Sequence, residues 1–283
     1  MFENKLNEFK DLINIELKKI LLNLKNENCI FLCDAMEYSL ISGGKLLRPV
    51  LTLAVCEMFG EDFKKALPFA CAVEFMHVGS LVHDDLPCMD DDEKRRGKDS
   101  CHIKYDEATA VLVGDAFFCS AFEVLTYAKN YGLDGNKISD AVFLLSNMFG
   151  TKGTIAGQDM DVFINVKKNK ESFIEQVAEY KTSCLIKAAC CLGAVAANVE
   201  EEKVKLVSEY GKYLGLFFQI SDDILDYEKE KKNYMLNFVL VYGLKKSKKM
   251  AEEYYFKALE VLKNLKNSEF LQELTEAVFK RVS

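Results

Sequence analysis

The sequence predicts an all-α fold: a single domain of roughly ten or more helices spanning residues 1–283. Three observations carry this expectation. Apolar residues recur at three- and four-residue spacing along most of the chain, the period of one helix face. Only three prolines, at positions 49, 68 and 87, interrupt that period. No run of alternating apolar and polar residues is bounded by hairpin turns.

In chain order, Leu6, Phe9, Ile13, Leu17, Ile20 and Leu24 trace the first stripe. The next runs through 66–82 and closes at His83-Asp84-Asp85, because Pro87 opposes continuation of the helix. Further stripes cover 108–127, 139–149, 173–199, 204–227 and 245–265. The breaks between them are short: Ser42-Gly43-Gly44, the acids around Pro87, 132–135 and 166–170. No long Gly/Ser/Pro linker divides the chain, and no solenoid-type repeat is visible.

Hydrophobic residues make up 49% and charged residues 29%, the balance of a soluble globular protein. A net charge of −7 argues against general nucleic-acid binding but leaves room for a local basic pocket. The N-terminus, MFENKLNEFK, is charged where a signal peptide needs an apolar run. No stretch reaches the ~18 uninterrupted apolar residues of a membrane span. Ten cysteines form no C-x-x-C pair, and Cys29 and Cys33, on one helical face, read as buried core. Reduced thiols in the cytoplasm are the expectation.

Against this ordinary background the acids stand out. Six of the ten residues at 84–93 are acidic, and Arg95 and Arg96 follow at once. A second cluster, Asp222-Asp223-Ile224-Leu225-Asp226, sits in an apolar helix, with Asp222 and Asp226 one turn apart on one face. Charge runs usually mark solvated faces, but anions amid Phe217, Phe218 and Ile220 are costly to bury without a compensating cation. Asp84 and Asp90 would diverge by ~240° on a continuous helix. A break at 86–89 lets both reach one ion. Hard oxygen donors without Cys or His favour magnesium, which is commonly held by few carboxylates plus substrate phosphates. Arg95 and Arg96, Lys45 and Arg48 after the glycine pair, and Lys181-Thr182 supply groups suited to phosphate. Each basic pair alone is ordinary surface. Acids for magnesium together with bases for phosphate indicate a magnesium–diphosphate site.

The segments GGKLLRP (43–49), VEFMHVGSLVHDDLPCMDDDEKRRG (73–97), GDAF (114–117), GQDMD (157–161), KTSCLIKAA (181–189) and GLFFQISDDILD (215–226) resemble the trans-prenyl diphosphate synthases of the short-chain bacterial farnesyl type. The resemblance implies helices around a deep central cavity and a homodimer. It implies that Asp84 and Asp90, with Asp222 opposite, hold magnesium ions bridging an allylic diphosphate, and that Asp85 and Asp226 complete the two motifs. Arg95, Lys181, Thr182 and Gln219 would contact the allylic substrate, with Asp84, Asp90, Arg95, Lys181 and Asp222 as the catalytic set. Lys45, Arg48, His77 and Arg96 would bind isopentenyl diphosphate. His77 alone reads as a core histidine, but it lies seven before Asp84 on nearly the same helical face. Gln158 and Asp161 match a cavity-lining element, or form a hydrogen-bonded pair at a helix end. The family's lysine-bearing loop after the second motif is short here, with Lys229, Lys231 and Lys232 the nearest lysines.

A class I terpene cyclase would also use an Asp-rich motif and magnesium, but needs no second isoprenoid diphosphate site. A noncatalytic helical subunit would lack ligands from one motif, whereas this chain keeps both. The expected product is farnesyl diphosphate, with geranylgeranyl diphosphate the alternative. In the family, the positions four and five before the first Asp help set chain length; here they are Ser80 and Gly79. On this reading Gly79→Tyr or Ser80→Phe should shorten the product by filling the tail pocket.

Overall fold

The computed structural model describes residues 1–41, 43–162, 170–229 and 237–280. Its helices are α1 (Phe2–Leu24), α2 (Ile30–Ile41), α3 (Leu47–Met58) and α4 (Leu67–Asp84). A hairpin of two-residue strands, β1 (Lys94–Arg95) and β2 (Lys98–Asp99), precedes α5 (Cys101–Lys104), α6 (Glu107–Thr126), α7 (Gly135–Phe149), α8 (Thr154–Val162) and α9 (Lys170–Val177). Then follow α10 (Cys184–Ala196), α11 (Glu201–Lys229), α12 (Phe238–Tyr242), α13 (Leu244–Lys263) and α14 (Glu269–Phe279).

Helix α4 is apolar nearly all round, and such a helix belongs in the interior. It packs on α6, α3 and α10, while α10 also meets α7 and α11. Phe69, Phe75 and Met76 of α4, Phe117 of α6 and Phe217 of α11 lie fully inside this core. By length and composition alone, Phe63–Asp84 and Glu107–Tyr131 are apolar enough to cross a membrane, but the first is 78% buried within the protein. Cys29 and Cys33 depart from expectation. They are half-buried, 4.0 Å apart, beside the exposed Ile30 and Phe31 where α2 begins.

Three local features position the cavity. At the end of α4 the chain turns back, and the Asp90 N–H donates to the Asp84 carbonyl at 2.9 Å, which brings the two acids side by side. The hairpin was not foreseen. Its strands are too short to show alternation, and it turns on Arg96 and Gly97, both with positive φ (54° and 79°), the pattern of a mirror-image tight turn.

The third is a π-helical turn, Ala178–Ser183, between α9 and α10, where one continuous α-helix was expected. Such widened turns recur at functional sites, and this one carries Lys181 and Thr182. Two glycines let neighbouring helices close on it. A Cβ at Gly157 would lie 2.0 Å from the Lys181 backbone nitrogen, and one at Gly215 would lie 2.5 Å from the Ser183 Cα.

Gly157→Ala should therefore destabilise the protein by about 1–3 kcal/mol through overpacking. Gly135→Ala, whose Cβ would meet nothing within 4 Å, should change stability little. Denaturant midpoints of the two variants test the contrast.

Candidate active site

A cavity of about 1250 Å³ lies between the end of α4 and the C-terminal third of α11. Asp84 and Asp90, at and just after the end of α4, and Asp222 and Asp226 from α11 all line it. The two distant Asp clusters thus share one space, as their chemistry required. Among the described residues no three carboxylate, imidazole or thiol groups form a ready-made metal cage. The donors offered are carboxylate oxygens, which fit a hard cation completed by phosphate oxygens rather than zinc. Burial pushes the Asp84 carboxyl up to about 7, against the pull of Lys181, and burial likewise raises Asp90. These anions are under-compensated, and a divalent cation would relieve them.

Asp85 plays a different part from the one expected of it. It is 2% exposed and does not line the cavity. Adjacent helical residues point about 100° apart, and here the rotation of α4 turns Asp84 inward and Asp85 away. Asp85 instead accepts from the Arg95 Nε at 2.8 Å and from its Nη2, while Asp92 accepts from Nη2 at 2.8 Å. Asp85 is a positioning residue that aims Arg95 from the hairpin at the cavity.

In the second cluster Asp223 lines the cavity beside Asp222 and Asp226 and also ends a relay: the Thr182 hydroxyl donates to Gln219 Oε1 at 2.6 Å, and Gln219 Nε2 donates to Asp223 Oδ1 at 2.8 Å. Asp223 Oδ2 accepts the Phe238 N–H at 2.8 Å, which ties α12 to α11. Burial raises Asp223 to about 6 despite these bonds. Lys181 Nζ donates to Asp161 Oδ2 at 2.6 Å, so Asp161 holds the lysine at the wall. Gln158 also lines the cavity, and among the described residues its buried Oε1 finds no hydrogen-bond partner.

The remaining bases gather around the start of α3. Arg48 Nη1 lies 3.3 Å from His77 Nε2, and since a guanidinium can only donate, this nitrogen accepts. Burial and the neighbouring Arg48 and Arg96 hold His77 well below its usual range, so the ring is neutral. Arg96 Nη1 donates to the Gly43 carbonyl, and its guanidinium occupies the place of a Gly44 side chain, whose Cβ would sit 2.8 Å from Cζ. Lys45 Nζ stands 5.7 Å from the Phe218 ring centre. Beside them lies Glu74, 2% exposed and unforeseen in the sequence, its carboxyl raised by burial and pulled back by Arg96 and Arg48. Its signal was present: it is the one charge in the apolar run LPFACAVEFM.

The Polyprenyl synthetase family profile matches residues 30–238. The chain belongs to this family. It is a prenyltransferase of the isoprenoid synthase fold. It is 38% identical over 243 residues, 81% of this chain and 68% of the other, to geranylgeranyl pyrophosphate synthase 11, chloroplastic, of Arabidopsis thaliana. A geranyltransferase from Legionella pneumophila superposes with a TM-score of 0.91 at 31% identity, covering 99% of this chain and 98% of that one. An FPP/GFPP synthase from Zymomonas mobilis gives 0.87 at 29% identity over 97% and 98% of the two chains.

Within this prenyltransferase the tail-pocket expectation needs correction at one position. Ser80 lines the cavity, but Gly79 does not. A Cβ at Gly79 would lie 2.7 Å from Phe118 Cε1 and 3.0 Å from the Phe117 Cβ. Gly79→Tyr would thus collide with α6 rather than fill empty space. Lys231 and Lys232, and the side chain of Lys229, lie outside the described residues.

The raised carboxyls give a signed pH dependence. Asp84 and Asp223 ionise at higher pH in the folded chain than in the unfolded one, whose Asp value is 3.8. The folded state therefore holds more protons between those values, and stability falls as pH rises through that window. In chelator, Tm should be lower at about pH 8 than at about pH 5, and Asp84→Asn should flatten the decline. An unchanged slope in Asp84→Asn would count against this account of the carboxyl.

Proposed function

We propose that the protein condenses isopentenyl diphosphate with allylic diphosphates to give farnesyl diphosphate, with magnesium as its cofactor. The observation that carries this reading is the joint lining of one cavity by the carboxylates of both Asp clusters and by two groups of bases, Arg95 with Lys181 and Lys45 with Arg48 and Arg96. A prenyl donor and a prenyl acceptor, each bearing a diphosphate, need that duplication; a cyclase acting on one substrate does not.

In the proposed reaction the allylic C–O bond breaks and its electron pair leaves with the diphosphate. The alkene of isopentenyl diphosphate attacks the allylic carbon, a C–C bond forms, and a proton passes to the released diphosphate. Magnesium held by Asp84, Asp90, Asp222 and Asp226 would supply Lewis-acid stabilisation of the leaving group. Arg95 and Lys181 bind the same diphosphate, and their stabilisation grows as its charge develops. Gln158 Oε1, without a hydrogen-bond partner among the described residues, would offer a dipole to the positive allylic carbon. Lys45, Arg48 and Arg96 seat the second diphosphate, where the neutral His77 accepts from Arg48 and keeps its guanidinium oriented.

Farnesyl diphosphate as the main product is supported by likeness over nearly the full chain to the geranyltransferase from Legionella pneumophila. Geranylgeranyl diphosphate is the second reading, favoured by the names of the Arabidopsis relatives. The reading includes a homodimer in the cytoplasm. Exposed Val111 and Leu112 on α6 and Phe143 on α7 suit burial against a second copy.

Asp84→Ala and Asp222→Ala should each lower kcat by about a hundredfold or more, and a chelator should abolish turnover. Full turnover in either variant would sink the assignment. Lys45→Ala, Arg48→Ala and Arg96→Ala should raise KM for isopentenyl diphosphate more than for the allylic substrate. Equal rises for both would mean the two diphosphate subsites are wrongly divided.

A further inference from the structure

Chain length under the prenyl-transfer reading just given depends on what meets the growing tail below Asp84. We propose that Phe118 is the residue that stops it, so that α6 supplies the aromatic floor that α4 lacks. On α4 the two positions expected to form a floor are small, Ser80 and Gly79. Yet the space beside Gly79 is filled, because the Phe118 ring stands where a side chain at 79 would be, 2.7 Å from its Cβ position.

Of the two adjacent phenylalanines, only Phe118 can serve. Phe117 is fully buried and packs edge-on against Phe75 with ring centres 5.2 Å apart, as part of the core. Phe118 is half-buried and lines the cavity. Its ring is held on two sides. The His83 ring meets it edge-on at 5.3 Å and 86°, and Phe149, also on the cavity wall, packs at 5.1 Å and 52°.

His83 is itself fixed. Its Nε2 lies 2.9 Å from the Val111 carbonyl, in room left by Gly114, whose Cβ would fall 2.0 Å from that nitrogen. The ring therefore has little freedom to swing from the path of a tail. Gly79 lies five residues before Asp84, roughly 7–8 Å along the helix axis, or about one and a half turns. With one turn close to the length of one isoprene unit, a rigid ring at that depth limits the tail to a short product.

The test is the chain length of products made from isopentenyl diphosphate and geranyl diphosphate, measured by mass spectrometry after dephosphorylation. Phe118→Ala should move the distribution longer by at least one five-carbon unit, and Phe118→Leu should move it part of the way. Phe117→Leu, which alters the core side of α6, should leave lengths unmoved. If the parent protein condenses the substrates and both Phe118 variants give the parent distribution, the stop is elsewhere, although prenyl transfer stands. A shift in Phe117→Leu equal to that in Phe118→Ala would also overturn the assignment, because general loosening of α6 would then explain both. If the parent protein forms no longer prenyl diphosphate at all, the condensation reading and this inference fall together.

Discussion

Carboxylates gathered in one partly desolvated cavity repel one another, and much of this fold is the means of keeping them there. Asp84 is doubly disfavoured as an anion. It is withdrawn from water, and it ends α4, where the helix dipole is negative. The turn after it offsets part of that cost. The Asp90 N–H caps the Asp84 carbonyl, and the Asp92 N–H caps that of Asp85, so helix-end groups that would lack partners are satisfied by the loop that carries the second acid. The same bonds that end the helix therefore place Asp90.

The acids of the site fall into two roles that composition cannot separate. Asp84, Asp90, Asp222 and Asp226 line the cavity, while Asp161, Asp223 and Glu74, which also line it, and Asp85, which does not, act on neighbouring residues. Asp85 aims Arg95, Asp161 holds Lys181, and Asp223 links Gln219 to the start of α12. Long cationic side chains lose rotamer freedom when they bind phosphate, and fixing them beforehand lowers that cost. The π turn belongs to this arrangement. It carries Lys181 and Thr182 in a turn packed against Gly157 on one element and Gly215 on another, the first closing on Lys181 and the second on Ser183.

The helix stripes and both Asp clusters were legible because periodicity and charge are written directly in the residues. What was not legible depends on neighbours. Asp84 and Asp85 are chemically identical, and only their rotation about α4 decides which faces the cavity. The π turn leaves the apolar spacing of 173–199 intact to the eye, and a strand of two residues has no period to detect. Gly79 shows the limit most clearly. A glycine in the sequence signifies vacant space only if nothing else fills it, and here a ring from α6 does. In Glu74 the clue was visible, but a lone buried acid names no partner until Arg48 and Arg96 are placed beside it.

That placement explains how the basic wall stays folded without its ligand. Two guanidiniums brought together out of water repel, and burial lowers the pKa of both Arg48 and Arg96. Glu74 offsets the pair, and His77 adds no third charge because burial, together with the same cations, keeps it neutral. A fully neutralised cluster would have no reason to bind an anion, whereas an uncompensated one would strain the fold. One carboxylate beside two guanidiniums lies between these limits. The buried Arg48 Nε, without a hydrogen-bond partner among the described residues, marks where the remaining donor capacity is left. The acidic wall has the opposite imbalance, with Lys181 shared between Asp161 and the carboxylates at the end of α4. A diphosphate, bearing negative charge for the bases and oxygen ligands for a cation at the acids, answers both imbalances at once.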